Sequence, residues 1–191
     1  MLTQSRVIAC GNILLLALIL ATPASCLAQV VEETAAGEAN WSESLAAWAS
    51  AGLGPGKIDV PNGNGITAVV RATASVGPWL ATYRSGDIGA FISAGSGVRD
   101  SGVLAGMRTG GHRVFASAAL GYARATPYHQ SDGGSRYPTY APSVAALAYE
   151  LTLHANAFVP GLALSLFGDL GPAESSYSAF TMSVELGWFG R

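Results

Sequence analysis

The sequence predicts an all-β protein: an eight-stranded antiparallel up-and-down transmembrane β-barrel with a cleaved N-terminal signal peptide. Three observations carry that expectation. Apolar and polar residues alternate with a period of two from about residue 45 onward. Short and long connections alternate between the alternating segments, and aromatic residues gather at segment ends. Alternation marks a strand with two unlike faces, although a soluble sandwich alternates too. Lipid offers no hydrogen-bond partner to a sheet edge, so a sheet that crosses a membrane has to close on itself.

Composition agrees with one membrane-embedded domain. The chain has 191 residues, of which 50% are hydrophobic and only 12% charged, against about 25% charged in ordinary soluble domains. A net charge of -2 and the lack of a basic stripe argue against a nucleic-acid partner. No stretch after residue 28 holds 18 consecutive apolar residues, so no spanning helix is expected.

The N-terminus reads as a secretory signal. Arg6 supplies the positive charge, and residues 13–21 form an apolar run too short to span a bilayer. "CLAQ" gives a small-x-Ala site before Gln29, which sets residues 1–28 as the signal peptide. Cys10 and Cys26 both fall in it, so the mature chain would carry no disulfide or thiolate metal site. Cys26 is an alternative lipid acceptor, disfavoured by Pro23 three residues before it. Residues 29–44, with Glu32, Glu33, Glu38 and Glu43, read as a polar leader, and residues 45–191 as the barrel.

The strands are justified in order. Segment 45–54 alternates, but alanine on both sides hides which face is apolar. Segment 66–76 sets Val70, Ala72, Ala74 and Val76 against Thr67, Arg71, Thr73 and Ser75. Segment 79–85 sets Trp79, Ala81 and Tyr83 against Leu80, Thr82 and Arg84, and 102–109 sets Val103, Ala105 and Met107 against Leu104, Gly106 and Arg108. Segment 113–123 puts Val114, Leu120 and Tyr122 opposite Phe115, Ser117 and Ala119. In 143–154, Leu147, Tyr149, Leu151 and Leu153 oppose Glu150, Thr152 and His154. Segment 161–167 lines up Leu162, Leu164 and Leu166, and 178–189 lines up Phe180, Met182, Val184, Leu186 and Trp188.

Gly77-Pro78, Gly110-Gly111-His112 and a stretch holding Pro160 make short turns, whereas 55–65, 86–101, 124–142 and 168–177 make longer loops. That asymmetry matches the periplasmic and extracellular ends of an outer-membrane barrel. Trp79, Phe158, Trp188 and Phe189 fall at the turn side, and Tyr122, Tyr177 and Phe180 near the loop side, as aromatic girdles would.

On these residues the chain resembles the small outer-membrane β-barrel proteins, such as the transmembrane domain of outer-membrane protein A and outer-membrane protein X. It is also similar to small barrel proteins with an early "AGLG" (51–54), a strand ending "ALGYAR" (119–124) and a terminal "LGWFGR" (186–191). The resemblance covers about 45–191 and implies the outer membrane of a Gram-negative bacterium, with outer-membrane lipid and the barrel assembly machinery as partners. Such proteins usually end on an aromatic residue; here Gly190 and Arg191 follow Phe189.

Candidate chemistry is sparse. Barrel enzymes that deacylate lipid A resemble this chain in size and use a His-x-Ser-Asn stretch with a nearby Glu. The sequence here is His154-Ala155-Asn156, without the serine nucleophile. No catalytic residue and no enzymatic activity are therefore expected. His112, His129 and His154 have no metal-ligand spacing, and the glycine clusters open no phosphate-binding helix, so no cofactor or metal is expected. Arg71, Arg84, Arg108, Glu150 and Glu185 share the inward parity and form the expected lumenal charge network. Tyr128, Arg136, Tyr137 and Tyr140 make the 124–142 loop a candidate for recognising an extracellular ligand.

The expectation is thus a non-enzymatic barrel with an envelope structural or surface-interaction role, its lumen plugged by Arg and Glu. The alternatives are an outer-membrane enzyme acting on lipid A or phospholipid, and a soluble secreted β-sandwich.

Overall fold

A computed structural model describes residues 45–59, 63–89, 95–111, 113–130, 138–156 and 160–188. The expected signal peptide and leader lie outside these residues. The strands are β1 (Leu45–Ile58), β2 (Asn64–Val76), β3 (Trp79–Gly89), β4 (Gly95–Gly110), β5 (Val114–Gln130), β6 (Thr139–Tyr140), β7 (Val144–Ala155), β8 (Gly161–Leu170) and β9 (Tyr177–Trp188).

Eight long strands pair antiparallel with their neighbours, and β1 pairs with β9, so the sheet closes into a barrel. The two-residue β6 only extends the far end of β5, through Tyr128 opposite Tyr140. No sandwich forms. The tight turn between β2 and β3 rests on Gly77, whose φ of 57° suits a residue without a Cβ. Below, the end with Gly77-Pro78 is the turn end and the opposite end the loop end.

Alternation sorts the wall into two faces. Leu53, Val70, Val103, Leu120, Leu153, Leu164, Met182 and Leu186 are exposed on the outside. Thr73, Thr82, Arg71, Arg84, Glu150 and Glu185 are buried inside. This is the reverse of a soluble protein, and it fits a wall with hydrocarbon outside. On β1, where the sequence left the face open, Ala46, Trp48 and Ser50 point inward.

Strands β1 to β5 and β8 are longer than the sequence suggested, mainly at the loop end, whereas β7 and β9 keep the expected length. Strand β4 begins at Gly95 and β5 runs to Gln130, through stretches expected to be loop. There the two faces exchange character. Ile58, Val69, Ile88, Val98, Phe167 and Tyr177 form a buried apolar cluster inside, while Lys57, Arg99 and Arg124 stand exposed outside. A search for outward apolar residues ends where the outer face turns polar, although the strand continues.

Two aromatic placements differ from expectation. Tyr177, expected in the outer girdle, is buried in the lumen, because it shares inward parity with Ile58 and Asp169, its strand partners. Tyr149 has outward parity but is buried, packed across Gly168 of β8, where any side chain would meet its hydroxyl. Trp79, Tyr122 and Phe180 are exposed on the outer face. Phe158, Phe189 and the Trp188 side chain lie outside the described residues.

Candidate functional site

The lumen is filled by polar side chains in three levels. At the turn end, His154 Nδ1 lies 2.9 Å from Glu185 Oε2, and its Nε2 lies 2.9 Å from Ser117 Oγ. Phe115 stacks on the imidazole at 4.1 Å with an 11° angle between planes, and Trp48 meets that ring edge-on at 5.7 Å. Arg108 donates from Nε to the carbonyl of Gly77 at 2.9 Å, and its guanidinium carbon lies 5.8 Å from the Phe115 ring centre.

At the middle level, Arg71 donates from Nε to Glu150 Oε2 at 3.0 Å and from Nη1 to Ser183 Oγ at 3.1 Å. The Thr152 hydroxyl lies 3.3 Å from Glu150 Oε1 and 3.0 Å from Ser165 Oγ. At the third level, Arg84 Nη2 donates to Asp100 Oδ2 at 2.7 Å and to Asp169 Oδ1 at 2.5 Å. Arg84 Nη1 also reaches the carbonyl of Tyr149 at 3.0 Å. Phe167 separates the two levels, its ring centre 4.8 Å from the Arg71 guanidinium carbon and 4.9 Å from that of Arg84.

All five residues expected in the network are buried, but their partners differ from a single Arg–Glu network. Arg71 pairs with Glu150 as Arg with Glu. Arg84 takes two aspartates and Glu185 takes His154. The reason is barrel shear. Glu185, Ser50, Arg71 and Arg84 form one row across β9, β1, β2 and β3. Tilted strands lift such a row as it travels round the wall, so its members meet partners at successive levels. Asp100 and Asp169 were missed because both fell in segments expected to be loop.

Outside, at the loop end, a second cluster spans four strands, β3 to β6. Arg99 on β4 pairs with its cross-strand neighbour Asp87 on β3 at 3.0 Å. The Tyr128 hydroxyl donates to Asp87 at 2.8 Å, and its ring lies against Gly97. Tyr140, which is exposed, packs at 5.7 Å against both the Tyr128 ring and the Arg99 guanidinium. Of the residues expected to recognise a ligand, Tyr128 is therefore a partly buried clamp in β5 rather than a loop residue, and Tyr140 is accessible. Arg136 and Tyr137, like His112, lie outside the described residues. Among the described residues, no group of His, Cys, Asp and Glu is arranged to hold a metal ion.

A closed eight-stranded antiparallel barrel has counterparts among solved structures. Neisserial surface protein A matches with a TM-score of 0.58 at 10% identity, over 74% of this chain and 96% of that one. The fold is that of the small outer-membrane β-barrels. The N-terminal β-barrel domain of Pseudomonas aeruginosa OprF matches with a TM-score of 0.51 at 9% identity, over 75% of this chain and 97% of that one. Ail, the attachment invasion locus protein of Yersinia pestis, matches with a TM-score of 0.49 at 14% identity, over 76% of this chain and 98% of its own. No protein-family model and no curated protein matches the sequence.

Proposed function

We propose that the chain is a plugged outer-membrane barrel of a Gram-negative envelope, with a structural or surface-interaction role. The observation that carries this reading is the two-faced wall: exposed Leu, Val and Met outside, and buried ion pairs from opposite strands inside. In lipid such a wall is stable because both edges of every long strand are paired and the inward charges of Arg71, Arg84, Glu150, Asp100 and Asp169 have counter-charges. Side chains fill an eight-stranded lumen, so the role falls on the envelope itself and on the loop-end surface. Tyr140 and Arg99 give that surface an exposed aromatic and an exposed cation, a pairing suited to an extracellular ligand. The reading invokes no reaction. Insertion by the barrel assembly machinery and a surround of outer-membrane lipid complete it.

Cell fractionation with a gel run on heated and unheated samples tests the reading. The protein should float with outer membranes and migrate differently before and after boiling. Recovery in the soluble periplasm with identical migration would end it.

A further inference from the structure

The turn end of the lumen holds a line of three side chains from three strands. Ser117 Oγ of β5 lies 2.9 Å from His154 Nε2 of β7. His154 Nδ1 lies 2.9 and 3.0 Å from the two carboxylate oxygens of Glu185 on β9. When the imidazole is neutral with its hydrogen on Nδ1, Glu185 accepts that hydrogen and Nε2 accepts the Ser117 O–H. That order is nucleophile, base and orienting carboxylate. The stacked Phe115 and edge-on Trp48 hold the imidazole plane. His154 and Glu185 are 4% and 1% exposed, whereas Ser117 is only partly buried.

Arg108, the cross-strand partner of Ser117, brings a cation to the same level.

We propose that this cluster is a hydrolytic site for small carboxylic esters entering from the turn end, with Ser117 as nucleophile and His154 as base. Glu185 is the positioning residue. The serine that the His-Ala-Asn tripeptide lacks is supplied by a neighbouring strand. Ser117 Oγ bonds to the ester carbon as its proton passes to His154 Nε2, and the carbonyl electron pair moves onto oxygen. Collapse breaks the bond to the alcohol oxygen, which leaves with the proton from Nε2. Water then repeats the sequence on the acyl-serine, releasing the carboxylic acid and restoring the hydroxyl. Only small esters fit, because the lumen above is filled by Arg71, Glu150 and Phe167. The site is independent of the surface role proposed above, and either can fail without the other.

The test uses the full chain folded in detergent, with folding verified by its gel shift on heating. A fluorophosphonate probe should add one adduct to the peptide holding Ser117, and p-nitrophenyl acetate should be hydrolysed. Ser117→Ala should abolish both. His154→Gln should slow both by about a hundredfold, and Glu185→Gln should slow both. Ser96→Ala, which removes a hydroxyl at the opposite end, should change neither. A folded parent that takes no label and hydrolyses no ester overturns the proposal. So does labelling that persists at the parental rate in Ser117→Ala, and these two proteins decide the matter even where a His154 variant does not fold.

Discussion

Arg71 and Glu150 are separated by 79 positions in the chain, yet Nε and Oε2 meet 3.0 Å apart inside the barrel. They come from β2 and β7, on opposite walls of the closed ring. Their side chains are 4% and 8% exposed, so removing either partner strands the other charge away from water. Such a loss costs about 3–5 kcal/mol. Glu150→Ala and Arg71→Ala should each lower stability by that amount in urea titrations of the vesicle-inserted protein. The double replacement Arg71→Met with Glu150→Leu should cost less than either single change. A Glu150→Ala barrel as stable as its parent would remove the pair from the account of stability.

Phe167 tests the packing between levels. The guanidinium carbons of Arg71 and Arg84 lie 4.8 and 4.9 Å from its ring centre. Phe167→Ala leaves a cavity and removes both cation–π contacts, at a cost of about 3–5 kcal/mol. Phe167→Leu restores most of the volume but not the π-face. It should recover part of that loss in the same titration. Full recovery would mean that the ring acts by volume alone.

The level around Arg84 carries one cation against two carboxylates, Asp100 and Asp169. Asp100 accepts two N–H groups from Arg84 and Asp169 one. Asp169→Asn keeps a one-to-one pair and should shift stability by no more than about 1 kcal/mol, whereas Arg84→Met strands two buried carboxylates and should cost at least about 3 kcal/mol. Thermal melts read by gel mobility would rank the two variants. The reverse order would mean that both carboxylates are needed as charges.

The parts of this structure legible in the sequence are those set by period two. Strand number and the two faces of β2 to β5, β8 and β9 follow from alternation. What stayed hidden has two physical causes. Beyond the lipid the faces exchange character, so Asp87 and Arg99 outside, and Asp100 and Asp169 inside, interrupt the apolar pattern and read as loop. Shear is the second cause. Inward parity was readable for Arg84, Glu185 and His154, but which of them meet depends on how far a row climbs round the barrel, and no local pattern encodes that. Ser117 was visible as an inward residue of β5, yet His154 was weighed only against its sequence neighbours. Pairing β5 with β7 brings the two together.

The outer belt makes its own prediction. Leu164 and Val184 are exposed to 43% and 46% on adjacent strands, with apolar neighbours two residues to either side. Arginine at a midplane position of a barrel wall costs about 2–4 kcal/mol and less near the interfaces. Leu164→Arg and Val184→Arg should each lose about that much in vesicles, while Arg99→Leu at the loop end should change stability little. If both arginine variants match the parent, this face does not meet hydrocarbon.

The last prediction concerns transport. An open pore needs a continuous aqueous column, and this lumen is crossed three times: by His154 with Glu185, by Arg71 with Glu150, and by Arg84 with Asp100 and Asp169. Phe167 adds an aromatic ring between the second and third crossings. Each crossing joins side chains of different strands, so opening one means separating buried opposite charges, and the levels stack along the lumen rather than side by side. A single substitution leaves two crossings in place. The purified parent in a planar bilayer should therefore show no steady single-channel conductance, and neither should Glu150→Ala. A variant that also removes the turn-end crossing, combining Glu150→Ala, Arg71→Ala, Phe167→Ala, Arg84→Ala, His154→Ala and Glu185→Ala, should conduct if it still folds, since no crossing remains. Steady conductance from the parent would show that the ion pairs do not seal the barrel.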